Sequence, residues 1–233
     1  MRFAIVLLCT ILSLVARLTA SLKFKLPENN LLEQSWNGYS DLLTTAPIST
    51  KMSTSAVGFL IGDTLAQILN AKVKKERLSI NPKRLFIMSS FGLFIHGPFC
   101  HFLFNFLEHT WAGKEVSIII TKVLVDQLFF CPIISTIFLM YVNILQGKSL
   151  TQLGVVLRED LPIAMITSWK VWSLVHITSY LFVPLKFRVL YINIIQIFYS
   201  IFLSMLGNRE RPKVNLTSDS TSSNLSNKTD KPF

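Results

Sequence analysis

Residues 160–188 decide the fold, and they read DLPIAMITSWKVWSLVHITSYLFVPLKFR. The stretch is apolar enough to cross or enter a bilayer, but Lys170 and His176 lie inside it. Ionisable groups are costly within a membrane segment, so both are candidates for a functional site. Two interpretations stand at even weight: a packing helix whose lysine reaches a carboxylate on a neighbouring helix, or a helix that lines a pore or a solute site.

Two prolines predict where this helix begins and ends. Pro162 lies two residues after Asp160, and proline is tolerated in the first turn of a helix. At the other end, Pro184 pushes Val183 out of the helical region of backbone conformation. Between these limits, a spacing of four residues places three side chains on one face: Trp172, His176 and Tyr180.

The composition indicates a membrane protein. Of the 233 residues, 51% are hydrophobic and 15% are charged, and the mean hydropathy is +0.48. Globular domains carry about 25% charged residues, so the long uncharged runs of this chain predict transmembrane helices. The net charge of +10 arises from basic residues between the apolar runs, which the positive-inside rule explains more simply than nucleic-acid binding. The three cysteines form neither a metal-binding pattern nor a disulfide framework.

The polarity pattern divides the chain into four parts. Residues 1–20 predict a signal peptide or targeting leader, and residues 21–51 predict a linker and an interfacial segment. A helical membrane domain is predicted over 52–206 and a disordered polar tail over 207–233. Two aromatic residues are predicted to anchor the interfacial segment at the membrane surface: Trp36 and Tyr39. The tail contains three Asn-x-Ser/Thr sequons, at Asn215, Asn224 and Asn227.

Five apolar stretches follow the leader, at 52–71, 85–107, 122–146, 162–183 and 189–206. We therefore predict an all-α fold, a multi-span helical membrane bundle of four to five transmembrane helices. If only four cross, the stretch 162–183 is tilted or partly re-entrant. A stripe of small residues in the first stretch predicts close packing with another helix: Gly58, Gly62 and Ala66.

Each apolar stretch also carries polar residues on one helical face. In lipid such groups turn inward to find partners, where they either lock the helices together or line a water-filled path. The candidate pore-lining or intramembrane polar residues are Asp63, Gln67, His101, Asn105, Asp126, Gln127, Lys170, His176, Asn193 and Gln196. For Asp63 we favour a paired residue in a packing seam, and for His101 a hydrogen bond to a neighbouring helix over a ligand or proton carrier.

Spacing and energetic cost predict specific partners. Lys122 and Asp126 are four residues apart and can pair on one helical face. Lys170 is expected to pair with Asp63 or Asp126, because a lone charge in hydrocarbon costs roughly 2.5–3.5 kcal/mol. Pro132 predicts a kink in the third stretch.

Several of these segments resemble motifs of the Mpv-seventeen / peroxisomal membrane protein twenty-two family, and the resemblance covers roughly residues 36–204. GDTLAQ resembles the family's G-D-x-x-x-Q, HGPFCHFLFNFLE its G-P-x-x-H-x-W-Y-x-x-L-[DE], and KVLVDQLFFCP its K-x-x-x-D-Q-x-x-x-x-P. The opening stretch resembles W-x-x-W-P-x-x-Q-x-x-N-F-x-x-V-P-x-x-x-R, although its Pro, Gln, Asn and Phe are replaced. The positions that carry this last motif include Trp169, Trp172, Pro184 and Arg188.

The resemblance implies a small integral membrane protein of an organelle. Some relatives are described as channels for small solutes, so the expected function is a small-solute channel or pore that supports organelle homeostasis. The alternative is a non-conducting scaffold or interaction protein, with the glycine stripe as a dimer face. The mitochondrial inner membrane is the first expected location, and a peroxisomal or other organelle membrane is the alternative.

The expected partners are the lipid bilayer, small solutes and a further copy in a homo-oligomer. Nucleic acid, a cofactor and a metal are not expected. The sequence has no HExxH motif, nucleophile elbow, phosphate-binding glycine loop or metal-spaced Cys/His cluster, so an enzyme is not expected either.

The basic residues predict an orientation. With five spans, one side holds eleven of them, which are the six from Lys72 to Arg84, then Lys148, Arg158, Arg209, Arg211 and Lys213. The other side holds four, or six with Lys23 and Lys25, and the four are Lys51, Lys114, Lys186 and Arg188. Positive charge near span ends marks the cytoplasmic or matrix-like side. The tail is therefore predicted inside and the mature N-terminus outside, which would leave the three sequons unmodified.

Overall fold

The computed structural model describes residues 30–207, and within that range the chain forms six α-helices, one short 3-10 helix at Leu185–Phe187 and no strand. The predicted leader and residues 208–233 of the predicted tail lie outside the described residues. The helices are α1 (Asn30–Thr45), α2 (Pro47–Lys74), α3 (Pro82–Thr110), α4 (Val116–Leu145), α5 (Leu150–Phe182) and α6 (Arg188–Gly207). The all-α prediction is thus confirmed.

Three of these helices, α2, α3 and α4, are long and apolar enough to cross a membrane, judged over the described part of the chain. Helices α2 and α3 contain the first two predicted apolar stretches and extend beyond both ends of each, whereas α4 begins six residues before the third stretch and ends at Leu145, one residue short of it. The extension matters for α2, because it brings residues before the predicted start at 52 into the bundle.

Helices α2 to α6 alternate in direction, so that each one runs antiparallel to the next. In every neighbouring pair, an early residue of one helix contacts a late residue of the other. The contacts that show this are Asp63–Arg84 and Lys51–His101 between α2 and α3, and Glu108–Lys122 and Ser90–Tyr141 between α3 and α4. They are Asp126–His176 and Gln127–Trp169 between α4 and α5, and Trp172–Tyr199 and Thr178–Tyr191 between α5 and α6.

The small-residue stripe of α2 packs against α6 of the same chain. A Cβ atom added to Gly58 would lie 2.9 Å from the Cβ of Asn193, and one added to Gly62 would lie 3.1 Å from the Oγ of Ser200. Ala66 is buried further along the same helix. The stripe therefore holds two helices of one bundle together, and the predicted alternative of a dimer face is wrong for Gly58 and Gly62.

Glycine also brings α3 close to α2. A Cβ atom at Gly97 would lie 2.7 Å from the Cα of Met52, and one at Gly92 would lie 2.6 Å from the carbonyl oxygen of Ser55. Both distances are shorter than any side chain tolerates, so the backbones of the two helices touch here. Gly97 and Gly92 therefore serve packing between the two helices.

A single π-helical turn interrupts both α3 and α4 just before a proline. The two turns span Gly92–His96, before Pro98, and Asp126–Phe130, before Pro132. Proline has no N–H, and its ring collides with the carbonyl group four residues earlier in a regular helix. A π turn widens the helix at that point and keeps it continuous, so the predicted effect of Pro132 is a local π turn within α4.

Helix α5 begins ten residues before the start predicted at residue 160, and this is a correction. Ser149 caps it by accepting a hydrogen bond from the backbone N–H of Gln152, whose side chain in turn accepts from the N–H of Ser149. This reciprocal capping box starts the helix. Pro162 consequently lies inside the helix. It is exposed, so the backbone hydrogen bond that proline cannot donate is missing on the outer side of the helix. The predicted end is correct, because Val183 is extended.

Helix α1 forms where a linker and an interfacial segment were predicted, and it packs across the end of the bundle. Trp36 stacks on Phe187 with ring centroids 5.1 Å apart, and Lys186 donates a hydrogen bond to Ser40. The Tyr39 hydroxyl lies 3.1 Å from that of Thr54. Burial raises the pKa of Tyr39, and this hydrogen bond acts in the opposite direction.

Candidate functional site: a cavity inside the bundle

A cavity of about 570 Å³ lies among helices α2 to α6. Aromatic and aliphatic side chains form most of its wall, including Phe59, Phe91, Phe104 and Trp172. Each of the five helices also contributes polar or ionisable side chains. These include Asp63 from α2, Arg84, His96 and Cys100 from α3, Asp126, Gln127 and Ser135 from α4, Ser168 and His176 from α5, and Gln196 and Ser200 from α6.

An ion pair between α2 and α3 lies at one end of the cavity. Arg84 donates from Nε to Asp63 Oδ1 at 2.8 Å, and its Nη2 lies 2.6 Å from the same oxygen. Gln67 donates to the other carboxylate oxygen at 2.8 Å and accepts from the backbone N–H of Asn81 at 2.7 Å. The arginine side chain is 39% exposed and the aspartate only 2%, so the pair lies where the cavity meets the surface.

A second pair lies deeper, between α4 and α5. His176 Nε2 is 3.0 Å from Asp126 Oδ2, which also accepts a hydrogen bond from the Gln127 side chain at 3.0 Å. The π turn of α4 begins at this aspartate, and both it and the following glutamine are buried. Trp169 donates from Nε1 to the backbone carbonyl of Gln127 at 2.8 Å, which fixes the rotation of α5 against α4.

Some polar atoms around this pair have no partner among the residues that the structure describes. They include the free oxygen of the Gln127 amide and the second nitrogen of His176, and both residues line the cavity. A buried polar atom without a hydrogen bond costs about 1–3 kcal/mol. A polar molecule that reaches these atoms would offset this cost, which makes this part of the wall suited to a hydrogen-bonding solute.

A charge network closes the opposite end of the bundle. Lys122 Nζ and Arg188 Nη1 each lie 2.8 Å from the same oxygen of Glu108. The Tyr180 ring faces both cations, 5.6 Å from the lysine and 5.0 Å from the arginine. The predicted pairing of Lys122 with Asp126 is therefore wrong. Sequence reasoning missed Glu108, although it is the last residue of the HGPFCHFLFNFLE motif.

His101 and Asn105 lie outside the cavity wall. The buried side chain of Lys51 in α2 approaches His101 Nδ1 at 3.1 Å, and Asn105 approaches the other ring nitrogen at 3.1 Å. The hydrogen bond that we favoured for His101 is present. Lys51 had been assigned to a loop outside the membrane, and the earlier start of α2 corrects that assignment.

The predicted pairing of Lys170 is also wrong. Its side chain is exposed, and it forms no hydrogen bond or ion pair with any group that the structure describes. Asp63 is paired with Arg84 and Asp126 with His176, so neither carboxylate is available to the lysine. The physical reason is the rotation of α5, which turns the face of His176 inward and the face of Lys170 outward.

The cavity therefore brings together half of the ten predicted polar residues. Those in its wall are Asp63, Asp126, Gln127, His176 and Gln196, and those outside it are Gln67, His101, Asn105, Lys170 and Asn193. Asn193 instead joins α6 to α2 by donating to the Ser55 hydroxyl at 3.0 Å. Of the four motif positions, Trp172 lines the cavity, whereas Trp169, Pro184 and Arg188 do not. Within residues 30–207, no cluster of His, Cys, Asp and Glu suited to a metal is present.

Comparison with known proteins extends over most of the chain. The profile of the Mpv17 / PMP22 family matches residues 143–204. PXMP2/4 family protein 2 of Dictyostelium discoideum is 34% identical over 180 residues, which cover 76% of this chain and 92% of that protein. Peroxisomal membrane protein 2 of Bos taurus is 31% identical over 175 residues, 72% of this chain and 87% of that protein.

A mitochondrial relative is similar over nearly the same length. Mitochondrial inner membrane protein Mpv17 of Danio rerio is 27% identical over 175 residues, 75% of this chain and 97% of that protein. No solved structure matches the chain. The relatives of more than 30% identity and the three apolar helices lead to one conclusion: the chain belongs to the Mpv17 / PMP22 family of integral membrane proteins.

Proposed function

We propose that this protein is a small-solute channel of an organelle membrane and that the central cavity is part of its conducting path. The observation that carries the proposal is the cavity itself, to which each of the helices α2 to α6 contributes polar or ionisable side chains. Intramembrane polar groups that face a shared interior space are typical of solute and ion pathways.

The proposed channel crosses the membrane five times, through α2 to α6. Two observations support this count: the five helices alternate in direction, and α5 and α6 complete the wall of the cavity. An odd number of spans places the two chain ends on opposite sides. The distribution of basic residues favours the tail on the inner side.

The path has an accessible end and a closed end. A solute would enter beside the partly exposed Arg84 and reach the Asp126–His176 pair in the interior. Beyond that pair, Phe104 in the cavity wall packs edge-on against Tyr180, whose ring covers the Glu108 network. Conduction therefore requires this aromatic and charged seal to move.

The size of the cavity and the polar groups in its wall favour small, polar solutes. A volume of about 570 Å³ falls within the usual range for sites that hold small molecules, roughly 300–1,000 Å³. The wall offers amide, hydroxyl and imidazole groups between aromatic surfaces, and its two acidic groups are both paired.

The relatives suggest two organelles for this function. One relative is named as a peroxisomal membrane protein and another as a mitochondrial inner membrane protein. We propose the mitochondrial inner membrane as the location, with the peroxisomal membrane as the alternative. Co-localisation of the tagged full-length protein with markers of the two organelles would separate them.

Solute flux from liposomes tests the channel. Purified protein should release small solutes from loaded vesicles, and Asp126→Asn should change the ratio of cation to anion permeability, because it removes a carboxylate from the path. Asp41→Asn, an exposed position in α1, is the matched control and should leave this ratio unchanged. Vesicles that retain every solute with the folded parent protein would favour the non-conducting scaffold instead.

A further inference from the structure

The proposed five-span topology places one charge, on the outward face of α5, near the depth of the bilayer centre. In the proposed topology, residues 162–182, where the predicted apolar stretch overlaps α5, form its membrane-embedded part, and these 21 residues span about 32 Å at 1.5 Å per residue. Lys170 lies about 12 Å from one end of this segment and about 18 Å from the other. Both distances exceed what the four-carbon stem of a lysine bridges by snorkelling.

The surroundings of Lys170 are apolar and outward-facing. Ile163, Ile166 and Leu174 share its helical face, and all three are exposed. One turn away, Thr167 uses its hydroxyl to bond the backbone carbonyl of Ile163 within α5. The lysine has no partner in the described structure, and a lone charge is unfavourable in hydrocarbon, so this face is incomplete without a further component.

A second copy of this chain does not supply a counter-charge for Lys170. A two-fold axis normal to the membrane would place Lys170 opposite Lys170, and like charges repel. The described carboxylates that are not already paired inside the bundle lie in α1, in loops or just before the membrane-embedded part of α5, and none is at this depth. They are Glu33, Asp41, Glu76, Glu115, Glu159 and Asp160.

We propose that the stripe formed by Ile163, Ile166, Lys170 and Leu174 binds a transmembrane helix of a different membrane protein, one that carries an Asp or Glu near its midpoint. Charge complementarity selects this partner, because a carboxylate at the same depth neutralises the lysine and the apolar residues on either side pack against the partner helix. The proposal rests on the five-span topology of the proposed channel, but it does not depend on conduction.

Photo-crosslinking in native organelle membranes tests this interaction. A photoreactive amino acid at Leu174 of the full-length protein should give one adduct, which mass spectrometry maps to a carboxylate-bearing transmembrane helix of another protein. The matched control is the same amino acid at Leu128, an exposed position of α4, which should not give this adduct. Lys170→Glu should lower the adduct yield about tenfold or more, whereas Lys170→Arg should retain it. Replacing the partner's carboxylate with lysine should restore the yield with Lys170→Glu.

Four results would overturn the interaction. They are an adduct with the mass of two copies of this chain, adducts with lipid alone, an adduct whose yield is insensitive to Lys170→Glu, and labelling of Lys170→Cys by a water-soluble maleimide. The crossing on which the interaction rests is tested with Lys148→Cys and Lys186→Cys, at positions that flank α5. The two should be labelled from opposite sides of the membrane, and labelling of both from one side would be a fifth result that overturns the interaction.

The channel itself is tested separately. Lys170 does not line the cavity, so Lys170→Glu should leave the flux of purified protein in liposomes unchanged. Absent flux with an intact adduct would overturn the channel alone, and normal flux without the adduct would overturn the interaction alone.

Discussion

At each end of α3 a partly exposed charge pairs with buried charge, but the signs of the buried and the exposed charges are reversed between the two ends. At its start, the carboxylate of Asp63 is 2% exposed and its partner Arg84 is 39% exposed. At its end, the cations of Lys122 and Arg188 are 1% and 4% exposed, and their shared partner Glu108 is 31% exposed. In each case the charge nearer to the surface stabilises a charge that is buried. The difference lies in how many buried charges depend on one exposed partner.

This comparison explains why one end of the cavity is accessible and the other is sealed. A single buried carboxylate with an exposed arginine leaves space beside the pair, and Gln67 supplies a second hydrogen bond to the carboxylate. Two buried cations around one glutamate draw α3, α4 and α6 together over the Tyr180 ring. Loss of the more exposed partner should therefore lower the free energy of unfolding far more at the sealed end than at the accessible end.

The largest effect is expected for Glu108→Gln. The substitution leaves Lys122 and Arg188 buried without a counter-charge, and loss of one partner of a buried ion pair typically costs about 3–5 kcal/mol. Thermal unfolding in detergent, followed by tryptophan fluorescence, should show a large fall in the melting temperature. Glu115→Gln is the matched control, because this glutamate is exposed, and it should shift the free energy of unfolding by no more than about 0.5 kcal/mol. Equal effects of the two substitutions would show that the network does not hold the helices.

Sequence reasoning predicted features within single helices better than it predicted which residues form pairs between helices. The glycine stripe of α2 and the end of α5 at Val183 both follow from local rules of spacing and backbone conformation. These rules need only the neighbouring residues of one helix, and a single sequence supplies them in full.

The partners between helices could not be predicted in the same way. Spacing allowed Lys122 to meet Asp126, but the π turn begins at that aspartate and turns it toward α5, while the lysine reaches Glu108 on α3. The rotation of α5 likewise depends on a hydrogen bond from Trp169 to the backbone of α4, which no pattern within α5 reveals. The outward position of Lys170 follows from that rotation.

A smaller effect is expected for Arg84→Gln at the accessible end. Asp63 loses its cation but keeps the hydrogen bond from Gln67, and water can reach the position that the exposed arginine leaves. The expected loss is about 1–3 kcal/mol, toward the lower figure because the pair is screened by solvent. Solute flux in liposomes should increase, since the arginine side chain partly covers the entrance. Lys83→Gln removes the same charge from the adjacent exposed residue and should change neither stability nor flux. A loss of stability as large as that of Glu108→Gln would contradict the proposed difference between the ends.

The smallest expected effect is the response to salt, which distinguishes the two ends of α3 without a substitution at a buried position. Raising the salt concentration from about 0.1 M to about 1 M shortens the Debye length from about 10 Å to about 3 Å, and this screens exposed charges much more than buried ones. The difference in melting temperature between the parent protein and Arg84→Gln should therefore shrink as salt is added. The difference between the parent protein and Glu108→Gln should shrink less, because two of the three charges in that network are shielded from solvent, against one of two in the Asp63–Arg84 pair. The measurement compares each variant with the parent at the same salt concentration, so general effects of salt on the detergent cancel. If both differences shrink alike, solvent reaches the Glu108 network as freely as it reaches Arg84, and that end of the bundle is not sealed.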